Sequence, residues 1–152
     1  MAGIFRRFSY SRSTQSGPGF RAETSVATSV ATGASGTKVN FATVGSNVGG
    51  YYDSSTSRFT PKIPGWYQFN AVVNNNGVNT DIYPSLKLNG STKFGYGFVR
   101  AAGAGVFTYA GCSGCVYLNG STDYVEVFME QYSGSSQNLN NLGYFNGCYV
   151  RP

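Results

Sequence analysis

The chain has 152 residues, a formal net charge of +5 and no histidine; 41% of it is hydrophobic, 16% aromatic and only 11% charged. That length and apolar content are those of one domain with a real core, and they exclude a disordered chain. No apolar run approaches the roughly 18 residues a membrane helix needs, and 21 glycines with few Ala, Leu, Glu or Lys exclude long amphipathic helices.

Residues 1–18 read as an extended basic arm. Residues 1–22 hold Arg6, Arg7, Arg12 and Arg21 and no acid, whereas in the remainder seven Lys or Arg face six Asp or Glu. A basic terminus on a nearly neutral body points to an anionic partner for the arm. Phe8 and Tyr10 alternate there with Ser9 and Ser11, and Gly17-Pro18-Gly19 separates the arm from the body. Arg6, Arg7, Phe8, Tyr10 and Arg12 are therefore the candidate attachment residues. Four arginines are few for a nucleic-acid site, so docking onto another protein is the expectation. The opening residues also lack a signal-peptide core of roughly 7–15 apolar residues. With an odd number of cysteines, this points to folding in a reducing cytoplasm.

From Gly19 the period is two. Val39 and Phe41 begin it. Pro61 and Pro64 hold off the next strand, after which Tyr67, Phe69, Ala71 and Val73 point to one side and Trp66 to the other. Ile82–Leu88 is followed by Leu88-Asn89-Gly90-Ser91-Thr92, and the same five residues recur as Leu118-Asn119-Gly120-Ser121-Thr122. Asn-Gly between alternating runs is a hairpin signal, so two hairpins are predicted, the second joining Val106–Leu118 to Tyr124–Tyr132. In Tyr124–Tyr132 the residues Val125, Val127 and Met129 form a core face. Tyr124, Glu126, Phe128, Glu130 and Tyr132 form the other face, which a monomer would leave in water. A stripe of three aromatics there reads as a covered surface. Trp66, Tyr124, Phe128 and Tyr132 are thus the candidate self-association residues. Asn74–Asn79 and 137–141 read as polar loops. The last strand is Tyr144–Val150, which makes an all-β fold of eight to ten short antiparallel strands at sandwich spacing.

Little here can do chemistry. Without histidine there is no Ser–His or Cys–His pair. Cys112 and Cys115, three apart on a strand, point to opposite faces and cannot chelate together; with Cys148 they are expected to be free thiols. Glu126 and Glu130 are on the order of 13 Å apart along their strand, too far for paired carboxylate catalysis. No catalytic residue, metal or cofactor is expected, and the chain is not read as an enzyme.

The run Asn47-x-Gly49-Gly50-Tyr51-Tyr52-Asp53, continuing through Phe59-Thr60 and Pro64-Gly65-x-Tyr67-x-Phe69, resembles the C1q-like heads among the tumour-necrosis-factor-like jelly rolls. Phe20-Arg21-Ala22, Val39-x-Phe41, Leu118–Val127 and Phe145-x-Gly147-x-x-Val150 extend the resemblance, which spans residues 19–152. It implies a jelly-roll β-sandwich that assembles as a homotrimer. Similar heads occur in phage proteins, and this sequence is most similar to that group. The resemblance therefore implies a structural virion protein made in the host cytoplasm: a capsid decoration or cement trimer attached by its arm to the major capsid protein or another virion protein, with no membrane. The alternatives are a receptor- or saccharide-binding fibre tip and, less favoured, a secreted signalling or lectin-like trimer.

Overall fold

The computed structural model describes residues 17–25, 27–76, 80–100, 106–138 and 142–152. Among them there are fourteen strands and no helix: β1 (Gly19–Glu23), β2 (Ser29–Val30), β3 (Gly33–Lys38), β4 (Thr43–Val48), β5 (Tyr52–Asp53), β6 (Arg58–Phe59), β7 (Gly65–Asn76), β8 (Asp81–Leu88), β9 (Thr92–Tyr96), β10 (Val99–Arg100), β11 (Phe107–Leu118), β12 (Val125–Gln131), β13 (Gln137–Asn138) and β14 (Tyr144–Arg151). Five of these are two-residue bridges, so nine longer strands carry the architecture. One sheet has the order β11-β7-β14-β1-β4. The facing sheet runs β10-β8-β12-β6-β5, with β3 also on β12 and β9 on β8, and β13 pairs β2 apart from both. All pairings are antiparallel, as in a jelly-roll sandwich.

The aromatic motif of the sequence is the core of this sandwich. Phe20 stacks on Tyr52 with centroids 4.5 Å apart and on Phe59 at 4.8 Å, and Phe145 meets it edge-on at 4.7 Å. Phe59 also meets Tyr67 at 5.5 Å and Phe69 at 5.7 Å. The two buried tyrosines carry their hydroxyls to backbone acceptors: Tyr52 donates to the Phe41 carbonyl and Tyr67 to that of Ile63, each at 2.8 Å. Water is excluded from both phenols, which pushes each pKa up to about 12. The motif that carries the resemblance is therefore a packing device that joins β1, β5, β6, β7 and β14.

β7 begins directly after Pro64, as predicted. The two Asn-Gly turns, however, differ. Asn89 and Gly90 take φ of 53° and 72° and join β8 to β9 as a true hairpin. Leu118-Asn119-Gly120 does not make the predicted second hairpin, because β11 and β12 belong to different sheets. Asn119 lacks the left-handed φ, and its Oδ1 instead accepts from the amides of Ser121, Thr122 and Asp123 at 2.9–3.1 Å. That side-chain-capped loop is wide enough to cross the sandwich. The expected loop from Asn74 is corrected too: β7 continues to Asn76, and Asn74 and Asn75 are buried in it. Gln137–Asn138 is paired as β13. Residues 77–79 and 139–141 of the two expected loops lie outside the described residues.

Candidate functional site

The sandwich has two outer faces of opposite character. On the five-stranded sheet, the strand parity turns Trp66, Gln68, Asn70, Val72 and Asn74 of β7 outward. It does the same for Phe107, Tyr109, Gly111, Ser113, Cys115 and Tyr117 of β11 and for Tyr144, Asn146 and Cys148 of β14. None of these residues is charged. Among the described residues, the charges beside this face are Arg151, the cross-strand partner of Trp66 at the end of β14, and Arg21 and Glu23 on β1, which pair with each other at 3.0 Å. Tyr117 lies directly across from Trp66, their rings edge-on at 6.0 Å, while Phe107 and Tyr109 stand about 27 Å away at the other end of β11, beyond Gly111, Ser113 and Cys115. Trp66, Phe107, Tyr109 and Tyr117 are all exposed. Asn70 donates to Asn146 at 3.2 Å, and Cys115 and Cys148 flank Gln68 in one row. Two exposed aromatic pairs at the ends of a face whose middle carries no charge match the composition of a protein interface core, where charges are depleted and aromatics enriched.

The outer face of the second sheet is ionic along β12, while Tyr96, Phe98 and Tyr132 stand exposed beside it. Glu126, only 2% exposed, accepts from Arg58 Nε at 2.7 Å and from Lys38 Nζ at 3.2 Å. Glu130, 5% exposed, pairs with Lys93, and Gly36 of β3 lies against its stem, where a Cβ would stand 3.2 Å from Glu130 Cγ. Arg58 lies 4.2 Å over the Tyr124 ring and Lys87 lies 4.0 Å over that of Phe128. The expected water-facing aromatic stripe is thus corrected. Tyr124 and Phe128 are half-buried under cations of their own chain, and only Tyr132 is exposed. Alternation along β12 marked the face but could not show that β3, β6, β8 and, beyond it, β9 bring four cations to it.

The four candidate self-association residues therefore lie on opposite sides of the molecule: Trp66 on the uncharged face, Tyr124, Phe128 and Tyr132 on the ionic one. A cyclic trimer joins two different patches of each protomer, so the two sets would have to meet across the contact rather than share one face. The residues that sequence reasoning missed are Phe107, Tyr109 and Tyr117. Their signal was present, because alternation in β11 sets them opposite Ala110 and Cys112. Arg6, Arg7, Phe8, Tyr10 and Arg12 lie outside the described residues. The arm joins the head at Gly17 and Pro18: the Tyr149 amide donates to the Pro18 carbonyl at 2.9 Å, which extends the β1–β14 pairing.

All three cysteines are free. Cys112 points into the core and Cys115 outward, so the pair does not converge, and among the described residues no three His, Cys, Asp or Glu side chains group as metal ligands. Burial pushes the Cys112 thiol up from 9.0 to about 12. An unfolded chain ionises this thiol near 9.0 and the folded chain only near 12, so the shift lowers stability as pH rises through that window and has no effect below it. Titration of the denatured protein should find three thiols per chain. In the native protein at pH 8, Cys112 should stay unmodified by iodoacetamide; its labelling at the rate of an exposed thiol would contradict this burial.

The C1q domain model matches residues 20–147. The chain belongs to the C1q domain family. No curated protein matches it in sequence. Among solved structures, the globular domain of zebrafish complement 1qA superposes with a TM-score of 0.68 at 20% identity, over 89% of this chain and 99% of that one. Murine APRIL superposes with a TM-score of 0.69 at 11% identity, over 88% and 99% of the two chains. Eiger TNF from S. frugiperda gives 0.64 at 6% identity, over 90% and 94%. At these identities the likeness is one of fold.

Proposed function

We propose that this C1q domain is a non-enzymatic structural module that closes into a homotrimer through the uncharged outer face of β7, β11 and β14. The observation that carries this reading is the exposed pair Trp66 and Tyr117 at one end and Phe107 and Tyr109 at the other of a face whose centre holds no charge, opposite a face whose carboxylates are paired within the chain. A cyclic trimer would bury those aromatics and leave the ionic face in water. The arm starts at Gly17 and Pro18 beside Tyr149, whose cross-strand partner is Tyr67, so it leaves the head at the end of the sheet that bears Trp66. Three arms would then leave one end of the trimer together. Their arginines support attachment to an acidic surface, which we read as the major capsid protein or another coat protein of a phage particle; the protein is then a capsid decoration protein of the virion, made in the host cytoplasm. Three linked weak contacts would multiply avidity, typically by 10²–10⁴.

The test has two parts. In the trimer, Cys115 and Cys148 lie in the covered face and should be protected from iodoacetamide at micromolar protein, becoming reactive as the assembly is diluted apart; reactivity independent of concentration would count against the face. Deleting residues 2–18 should leave a trimer by light scattering, as for the full chain of 16.2 kDa, but abolish binding to purified particles. Full occupancy by the arm-deleted protein would move the attachment onto the head.

A further inference from the structure

A groove of about 240 Å³ opens on the second sheet, on the ionic side of the sandwich; its wall residue Tyr96 also borders Asn70, Gly111, Ser113 and Tyr144 at the edge of the face assigned to self-association. Its lining includes Tyr83, Pro84, Ser85, Lys93, Tyr96 and Glu130. Tyr83 is held in place from two sides, by Phe98 with centroids 5.1 Å apart and by Tyr132 edge-on at 5.6 Å. Tyr96, 80% exposed, stands in water as the other aromatic wall. At the floor Ser85 is 2% exposed, and its Oγ has no partner among the described residues. It sits on β8 between Phe128 and Tyr96 of the neighbouring strands, where an alanine would pack without leaving a buried hydroxyl unsatisfied. Lys93 and Glu130 pair with each other at the side, so the groove presents a donor and an acceptor with no net charge.

We infer that this groove is a binding site for one neutral pyranose ring. A pyranose has an apolar C–H face that packs on an aromatic wall and a rim of hydroxyls that both donate and accept. Tyr83 and Tyr96 supply the walls, and the Lys93–Glu130 pair supplies complementary partners at the rim. The orphaned Ser85 hydroxyl supplies one more at the floor. The internal ion pair disfavours an anionic sugar, since the ammonium is already neutralised. A volume below the roughly 300 Å³ at which drug-sized pockets begin suits a single ring rather than an oligosaccharide buried whole.

The experiment is saturation-transfer NMR on the full chain with methyl α-mannopyranoside, methyl β-galactopyranoside and methyl β-glucopyranoside, and with glucuronate as the anionic comparison. At least one neutral glycoside should receive saturation through its ring C–H protons. Ser85→Ala and Tyr96→Ala should each weaken that binding by about tenfold. The thermal midpoint of Ser85→Ala should stay equal to or rise above that of the wild type, which a hydroxyl kept for structure would not allow. The inference is overturned if none of the three neutral glycosides binds, if both variants bind as the wild type does, or if glucuronate binds more tightly than the neutral sugars. Since the trimer is read by mass and thiol protection, its failure and the failure of this site are told apart.

Discussion

Replacing Trp66 and Tyr117 together by arginine should turn the trimer into a folded monomer, with light scattering falling from three chains to one of 16.2 kDa. The two rings meet edge-on at 6.0 Å on adjacent strands, half in water in the isolated chain, so neither holds the sandwich together. Each is the kind of aromatic anchor whose truncation costs ~2 kcal/mol or more at an interface. Arginine adds the desolvation of a charge that no carboxylate on β7, β11 or β14 can compensate. A combined loss of ~4 kcal/mol weakens association on the order of a thousandfold, enough to dissociate a micromolar sample. Tyr132→Arg is the matched comparison. It places the same charge on an exposed tyrosine of the opposite face and should leave the mass unchanged. If Tyr132→Arg breaks the trimer and the Trp66/Tyr117 pair does not, the ionic face is the interface instead.

Phe59→Ala should lower stability by ~3–5 kcal/mol, a large part of the ~5–15 kcal/mol that holds such a domain. Phe59 is fully buried and touches the rings of Phe20, Tyr67 and Phe69 from the facing sheet. It also lies on β6, which is two residues long and meets β12 only through the pair of Phe59 with Val125. Losing the ring therefore opens a cavity at the centre of the core and removes the side chain that anchors β5 and β6. Urea unfolding should show a lower midpoint with little change in slope. Phe98→Ala, on an exposed ring away from that cluster, should move the midpoint much less. Equal losses from the two substitutions would mean that the Phe20–Phe59 stack is not the centre of the core.

Phe59 lies in a run whose spacing to Tyr52, Tyr67 and Phe69 is legible in one dimension, because a strand alternates and prolines stop it. The class of fold, the start of β7, the hairpin at Asn89-Gly90, the inward set Val125, Val127 and Met129, and the divergence of Cys112 from Cys115 all come from that local periodicity.

What periodicity cannot carry is which strand lies next to which, and hence what covers an outward side chain. The repeated Leu-Asn-Gly-Ser-Thr closes a hairpin once and crosses between sheets once, because the second copy is held by the Asn119 side chain and its strands find different partners. Tyr124, Phe128 and Tyr132 read as a bare stripe because Lys38, Arg58 and Lys87 come to that face from strands far away in the chain. Strand parity points Trp66 away from the core, yet its true companion, Tyr117, is set by the β7–β11 register. The β period, the first Asn-Gly turn, the aromatic core and the family are thus local properties of the chain, written in alternation and in the prolines and glycines that interrupt it. The choice of exposed face is a long-range one: strand pairing brings the cations to one sheet and leaves the centre of the other uncharged and uncovered.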